Sequence, residues 1–182
     1  MKTLLYFECE SARTPETLRY VLFGRYSQAG FLFEREGQII LFGTRKGKTF
    51  YKEVLSLDEQ AASWDILLIP VSADEGEKLF ETCDACARSN IPFNLIDLLL
   101  IHIPFREVED LSLFKAPTLN NAQAVILLLR ECLSPGSRLR GVSEALHSRL
   151  TFVETIYDCI RPHSTPVPWE SLVKLARASG GK

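Results

Sequence analysis

Ala29-Gly30-Phe31-Leu32-Phe33-Glu34-Arg35-Glu36-Gly37-Gln38-Ile39-Ile40-Leu41-Phe42 is the stretch on which the reading of the fold turns. Two runs of aromatic and branched residues flank the polar, glycine-closed tetrad Glu34-Arg35-Glu36-Gly37, the pattern of a β-hairpin. Similar short runs stand on either side, at residues 4–7, 49–54 and 65–71, with Gly43-Thr44-Arg45-Lys46-Gly47 as a second loop. A meander of antiparallel strands follows from that rhythm. Between the first run and the hairpin, Thr14 as N-cap and Pro15 at the first helical position predict a brief helix.

Beyond residue 71 the pattern turns helical. Ser72-Ala73-Asp74-Glu75 has the spacing of a capping box, in which the hydroxyl takes a free helical N–H and the glutamate reaches back. That helix runs through Leu79, Cys83 and Cys86 to Ala87, and another is expected over 95–101. Pro104 and Pro117 fence a linker. After it, Thr118-Leu119-Asn120-Asn121 forms a polar entrance to the nearly apolar helix Ala122-Gln123-Ala124-Val125-Ile126-Leu127-Leu128-Leu129. The proline-rich connection 162–168 leads to a last helix from Trp169 or Glu170 to Ala178, ending at Gly180. The expected fold is α+β, an antiparallel sheet packed against helices, with residues 1–182 as a single domain.

Composition bounds the function. The 182 residues carry a net charge of −2, distributed as +3 over 1–50, −8 over 51–117 and +3 over 118–182. No segment supplies the basic field of a nucleic-acid binder, and the cluster Arg138-Leu139-Arg140 reads as a solvated face. No apolar run approaches the ~20 residues of a membrane span, so none is expected. Five cysteines, an odd number without framework spacing, fit an intracellular, reducing compartment.

The motifs that could carry chemistry are sparse. Cys83-Asp84-Ala85-Cys86 has CxxC spacing but falls inside a helix with no second pair, which reads as packing and gives no metal or cofactor site. Residues 43–49 lack the GxxxxGK[ST] pattern of a phosphate loop. His102 and His147 read as boundary or surface residues. Cys159 and His163, four residues apart, and Cys9 near the end of the first strand are the thiols and imidazole left for a nucleophile and base.

Two stretches together carry a resemblance. Tyr26-Ser27-Gln28-Ala29-Gly30-Phe31-Leu32-Phe33, continued by Gly37-Gln38-Ile39-Ile40-Leu41, looks like the histidine strand and hairpin of the NlpC/P60-type papain-like superfamily in its circularly permuted branch, which has bacterial and viral members. Asn121-Ala122-Gln123-Ala124-Val125 looks like its cysteine helix, and Thr165 to Leu172 like the lead-in to its final helix. The resemblance implies a papain-like fold and puts Gln28 at the histidine position and Asn121 at the nucleophile position. Gln38 is then nearest to the third, orienting residue. Glutamine is no imidazole base and asparagine no thiolate. A pseudoenzyme follows, acting as a structural or protein-interaction module, with a vestigial site at Gln28 and Asn121 and with Gln38, Asn120 and Gln123 around it, residues that either only cap and satisfy buried backbone groups or take a peptide or acyl group through their amides. A protein partner or a homo-oligomer, and a viral virion or assembly role, belong to the same expectation. The alternative is a cysteine hydrolase, an amidase, peptidase or lipid acyl hydrolase, built on Cys9 or on Cys159 with His163.

Overall fold

The computed structural model describes residues 1–9, 25–44, 50–56, 64–89, 121–146 and 151–180. Strands β1 (Lys2–Cys9), β2 (Tyr26–Arg35), β3 (Gln38–Thr44), β4 (Phe50–Leu55), β5 (Trp64–Leu68) and β6 (Thr165–Pro166) make one antiparallel sheet in the order β4-β3-β2-β1-β5-β6. Among the described residues five helices accompany it: α1 (Ala73–Arg88), α2 (Asn121–Cys132), α3 (Arg138–Ala145), α4 (Val153–Ile160) and α5 (Trp169–Gly180). A 3-10 turn at Arg161–His163 joins α4 to β6. The fold is therefore α+β, an antiparallel sheet packed against helices. The helices read at Thr14 and over 95–101, the linker between Pro104 and Pro117, the loop residues 45–47, and Asn120, His102 and His147 lie outside the described residues.

The hairpin is tighter than its polar tetrad predicts. Glu34 and Arg35 stay in the ladder opposite Ile39 and Gln38, so the turn is Glu36-Gly37 alone. Both turn residues have positive φ, 53° and 81°, as the two-residue turn that follows the natural twist of a hairpin requires. A Cβ at Gly37 would also stand 2.4 Å from the Cα of Gly180, because the end of α5 rests on the turn.

The meander expected from the sequence holds for β1 to β4, and β5 departs from it by pairing with the free side of β1, Leu5 opposite Leu67. The β5 ladder stops at Leu68, short of the expected Val71. The Ile69 amide makes one more bond to the Thr3 carbonyl (3.2 Å), and Pro70 has no N–H to continue.

Alternation along the strands divides the apolar residues between two cores. Leu5, Phe7, Ala29, Phe31, Phe33, Phe42 and Leu67 form the first face, covered by α1, α2 and α4. Phe80 of α1 meets Phe33 and Phe42 edge-on at 5.2 and 5.5 Å. Ion pairs pin the same helix to the sheet: Arg35 to Glu77 at 2.8 Å, and Lys52 to Asp84 at 2.7 Å. Helix α2 buries five consecutive residues from Ala122 to Ile126, as its apolar sequence demands of a core helix. Arg130 leaves it to close the end of α3, donating to the Ser143 and Leu146 carbonyls at 2.6 and 3.0 Å.

The second face carries Leu4, Tyr6, Leu32, Ile39 and Leu41 under Leu172, Val173 and Ala176 of α5. Tyr6 lies across the paired glycines Gly30 and Gly43. A Cβ at Gly43 would come 2.4 Å from its hydroxyl oxygen. Trp64 stacks on Tyr6 at 4.8 Å and meets Trp169 edge-on at 6.1 Å.

Candidate functional site

Gln28 pairs with Glu8, in the row that continues to Trp64. Strand alternation assigns this row to the second face, with Tyr6 and Gly30, whereas α2 packs on the first. Ser27 is the extra residue of a bulge there: Glu8 faces Gln28 while Cys9 faces Tyr26, which turns Tyr26 into the first core. Gln38 stands opposite Arg35, seven residues along β2 from Gln28, a span of ~23 Å at strand rise. Asn121 opens α2, and Gln123 sits within it at 4% exposure. The structure thus keeps Gln38 at the far end of the sheet, and it puts Gln28 on the face that α2 does not cover.

The thiols fall into three places. Cys9 is half-buried at the end of β1, against the Arg25 guanidinium. Cys159 is half-buried on α4, and His163 lies in the turn that follows it. Cys83, Cys86 and Cys132 meet where α1 crosses α2, the Cys132 thiol 3.5 Å from the Thr82 hydroxyl. Burial pushes Cys83 well above the ordinary thiol value and raises Cys86 and Cys132, because the charged form loses its water. These three remain protonated and pack as small apolar groups. Among the described residues no group of three or more histidines, cysteines or carboxylates could hold a metal.

A polar clasp occupies the other end of the same core. The Tyr26 hydroxyl donates to the Asp65 carboxylate, and Arg25 Nη2 bonds the same oxygen at 3.2 Å. The Arg25 amide donates to Glu154 at 3.1 Å, and its guanidinium lies over the rings of Tyr26 and Tyr157. Burial, and next the bond to Asp65, drive the Tyr26 phenol far above its ordinary value. It stays neutral and ties β2, β5 and α4 together.

A pocket of about 980 Å³ opens where the entrances of α1 and α3, the start of β1 and the turn at His163 come together. Its α1 wall is closed by the capping box. Glu75 accepts from the Ser72 amide (2.9 Å) and hydroxyl (3.0 Å) with one oxygen, and from the Ser134 amide (2.8 Å) and hydroxyl (2.6 Å) with the other. These bonds, those from Ser134 first, hold Glu75 down to about 2. Glu77, in the same wall, is paired with Arg35. The α3 wall is different: Ser137 takes the extended conformation of an N-cap, yet its side chain makes no capping bond. Arg138 follows it, and His163, from the turn after α4, also lines the pocket.

Thr3 also lines this pocket, at 3% exposure, and its hydroxyl makes no hydrogen bond among the described residues. The wall contains His163 but neither Cys159 nor Cys9. Of these residues the sequence had singled out His163 as a candidate base, while Arg138 read only as part of a solvated face. The signal for the rest was Ser134-Pro135-Gly136-Ser137, a turn ending in an N-cap residue, which marks a helix entrance but not what it opens onto.

No protein-family model, curated protein or solved structure matches this chain. Among the described residues no helix is long and apolar enough to cross a membrane.

Proposed function

We propose that this chain is a non-hydrolytic domain of the permuted papain-like type, working by binding as a structural or protein-interaction module. The observation that carries the reading is the separation of thiols from the pocket: its wall offers hydroxyls, an imidazole and a guanidinium, and no cysteine. A cysteine hydrolase needs thiol and imidazole within hydrogen-bond reach, beside amide donors for the oxyanion. Three of the five thiols are instead held protonated in the seam between α1 and α2. The papain-like part of the reading is supported by element order, an early hairpin followed by a core helix, α2, that packs on β2.

Incubating the folded chain with fluorogenic amide, peptide and ester substrates tests this. No turnover above buffer is expected, with Cys9→Ala and Cys159→Ala indistinguishable from the parent chain. Turnover that disappears in Cys159→Ala and in His163→Ala would install the hydrolase in its place.

A further inference from the structure

We infer that the pocket between the entrances of α1 and α3 binds a small molecule through an oxyanion head group, a carboxylate or phosphate, seated on the α3 side. The inference rests on the reading of the chain as a binding module and names the ligand class of its pocket.

The first observation is Thr3. A hydroxyl within a protein interior is ordinarily paired by a hydrogen bond, and Thr3, a residue 97% removed from solvent, keeps its own open to the cavity. Thr3 has no such bond among the described residues, and it lines the pocket. Its oxygen lies so near α1 that a Cβ at Gly76 would stand 3.0 Å from it. The floor of the cavity therefore offers an occupant a hydroxyl that no protein group uses among the described residues.

The second observation is charge. Both acids in the wall are already committed, Glu75 to four donors and Glu77 to Arg35. Lys2 stands opposite Glu34 in the β1–β2 ladder and also lines the cavity. Arg138 and His163 make no hydrogen bond or ion pair among the described residues, and both line the cavity. A guanidinium in this position offers paired N–H groups to an oxyanion, the geometry in which it binds carboxylate and phosphate best. The uncapped first turn of α3 adds backbone N–H groups on the same side. Glu75 works against any anion, but its charge is spread over four hydrogen bonds and set at the entrance of α1. A volume of about 980 Å³ exceeds the needs of a bare ion, so the oxyanion is the anchor of a larger body.

The test is an amide-shift titration of the whole chain with inorganic phosphate and, separately, with acetate, at constant ionic strength held by chloride. Saturable shifts confined to 136–139, Thr3 and His163 are expected, with whichever probe binds tighter identifying the head group. Arg138→Ala should weaken binding about tenfold, as loss of a charge-assisted pair does. Thr3→Val, which keeps the shape and removes the hydroxyl, should weaken it about threefold. Lys174→Ala, on the exposed side of α5, should change nothing. Shifts that never saturate with either probe, or that survive Arg138→Ala unchanged, overturn the inference. Because this readout does not involve turnover, its failure leaves the non-hydrolytic reading standing, and turnover on the fluorogenic substrates would remove that reading whatever the titration gives.

Discussion

Helices α1 and α3 open onto the same pocket and end there in opposite states. At α1 the chain supplies its own anion: the Glu75 carboxylate fills the positive end of the helix and reaches across to Ser134, tying the link between α2 and α3 to the cap. At α3 the N-cap serine has the right backbone conformation and makes no side-chain bond, and a guanidinium stands beside it. The same device is used twice, once closed from within and once left for something else. The first entrance contributes stability, and the second is the seat proposed for the oxyanion.

Breaking the closed entrance should have the largest effect. Glu75→Ala removes the acceptor of four hydrogen bonds from exposed Ser72 and Ser134 and leaves their backbone N–H groups to water, so urea unfolding should show a loss of about 1–2 kcal/mol. An unchanged midpoint would mean that the cap and the Ser134 link carry no load.

The same carboxylate gives the molecule an acid limb. Its pKa falls from 4.5 to about 2 on folding, so its contribution is fully present above 4.5 and disappears as the pH drops through about 2. Unfolding midpoints followed between those values should decline in the parent chain and decline less in Glu75→Gln. Parallel curves would place the acid sensitivity elsewhere.

Closing the open entrance is the converse experiment. Ser137→Asp places a carboxylate at the N-cap of α3, and thermal unfolding should show a gain of about 0.5–1 kcal/mol while the site loses affinity for phosphate. A gain in stability with undiminished phosphate binding would separate the helix entrance from the ligand site. The smallest effect belongs to Thr3→Val: replacing a hydroxyl that has no protein partner among the described residues by a methyl should be neutral or stabilising by up to about 1 kcal/mol. A clear loss of stability would show that the hydroxyl has a structural role.

The parts of the fold that depend on local sequence were legible in advance. The hairpin at Glu36-Gly37, the box at Ser72 and Glu75, the apolar helix beginning at Asn121 and the last helix at Trp169 each follow from residues within one turn of each other. What the sequence hid depends on distance or parity. The pairing of β5 with β1 joins Leu5 to Leu67 over more than sixty residues, and nothing in either run specifies it. The pocket assembles Thr3, Glu75, Ser137 and His163 from four separate elements, so no motif could display it. Gln28 was legible as a strand residue but not as a member of the second face, because the bulge at Ser27 resets the alternation beside it. Helices α3 and α4 were not read individually from the sequence. The eight residues of α3 bury Leu139 and Ser143, and its far end depends on Arg130 of α2.

The central proposal, that this chain binds and does not hydrolyse, comes down to the reactivity of five thiols. Alkylating the folded chain with iodoacetamide and reading each cysteine by mass spectrometry over time measures it directly. Slow modification is expected throughout, with Cys83 and Cys132 slowest because they are buried and protonated, and with no dependence on His163. One cysteine reacting far ahead of the others, and losing that lead in His163→Ala, would contradict it.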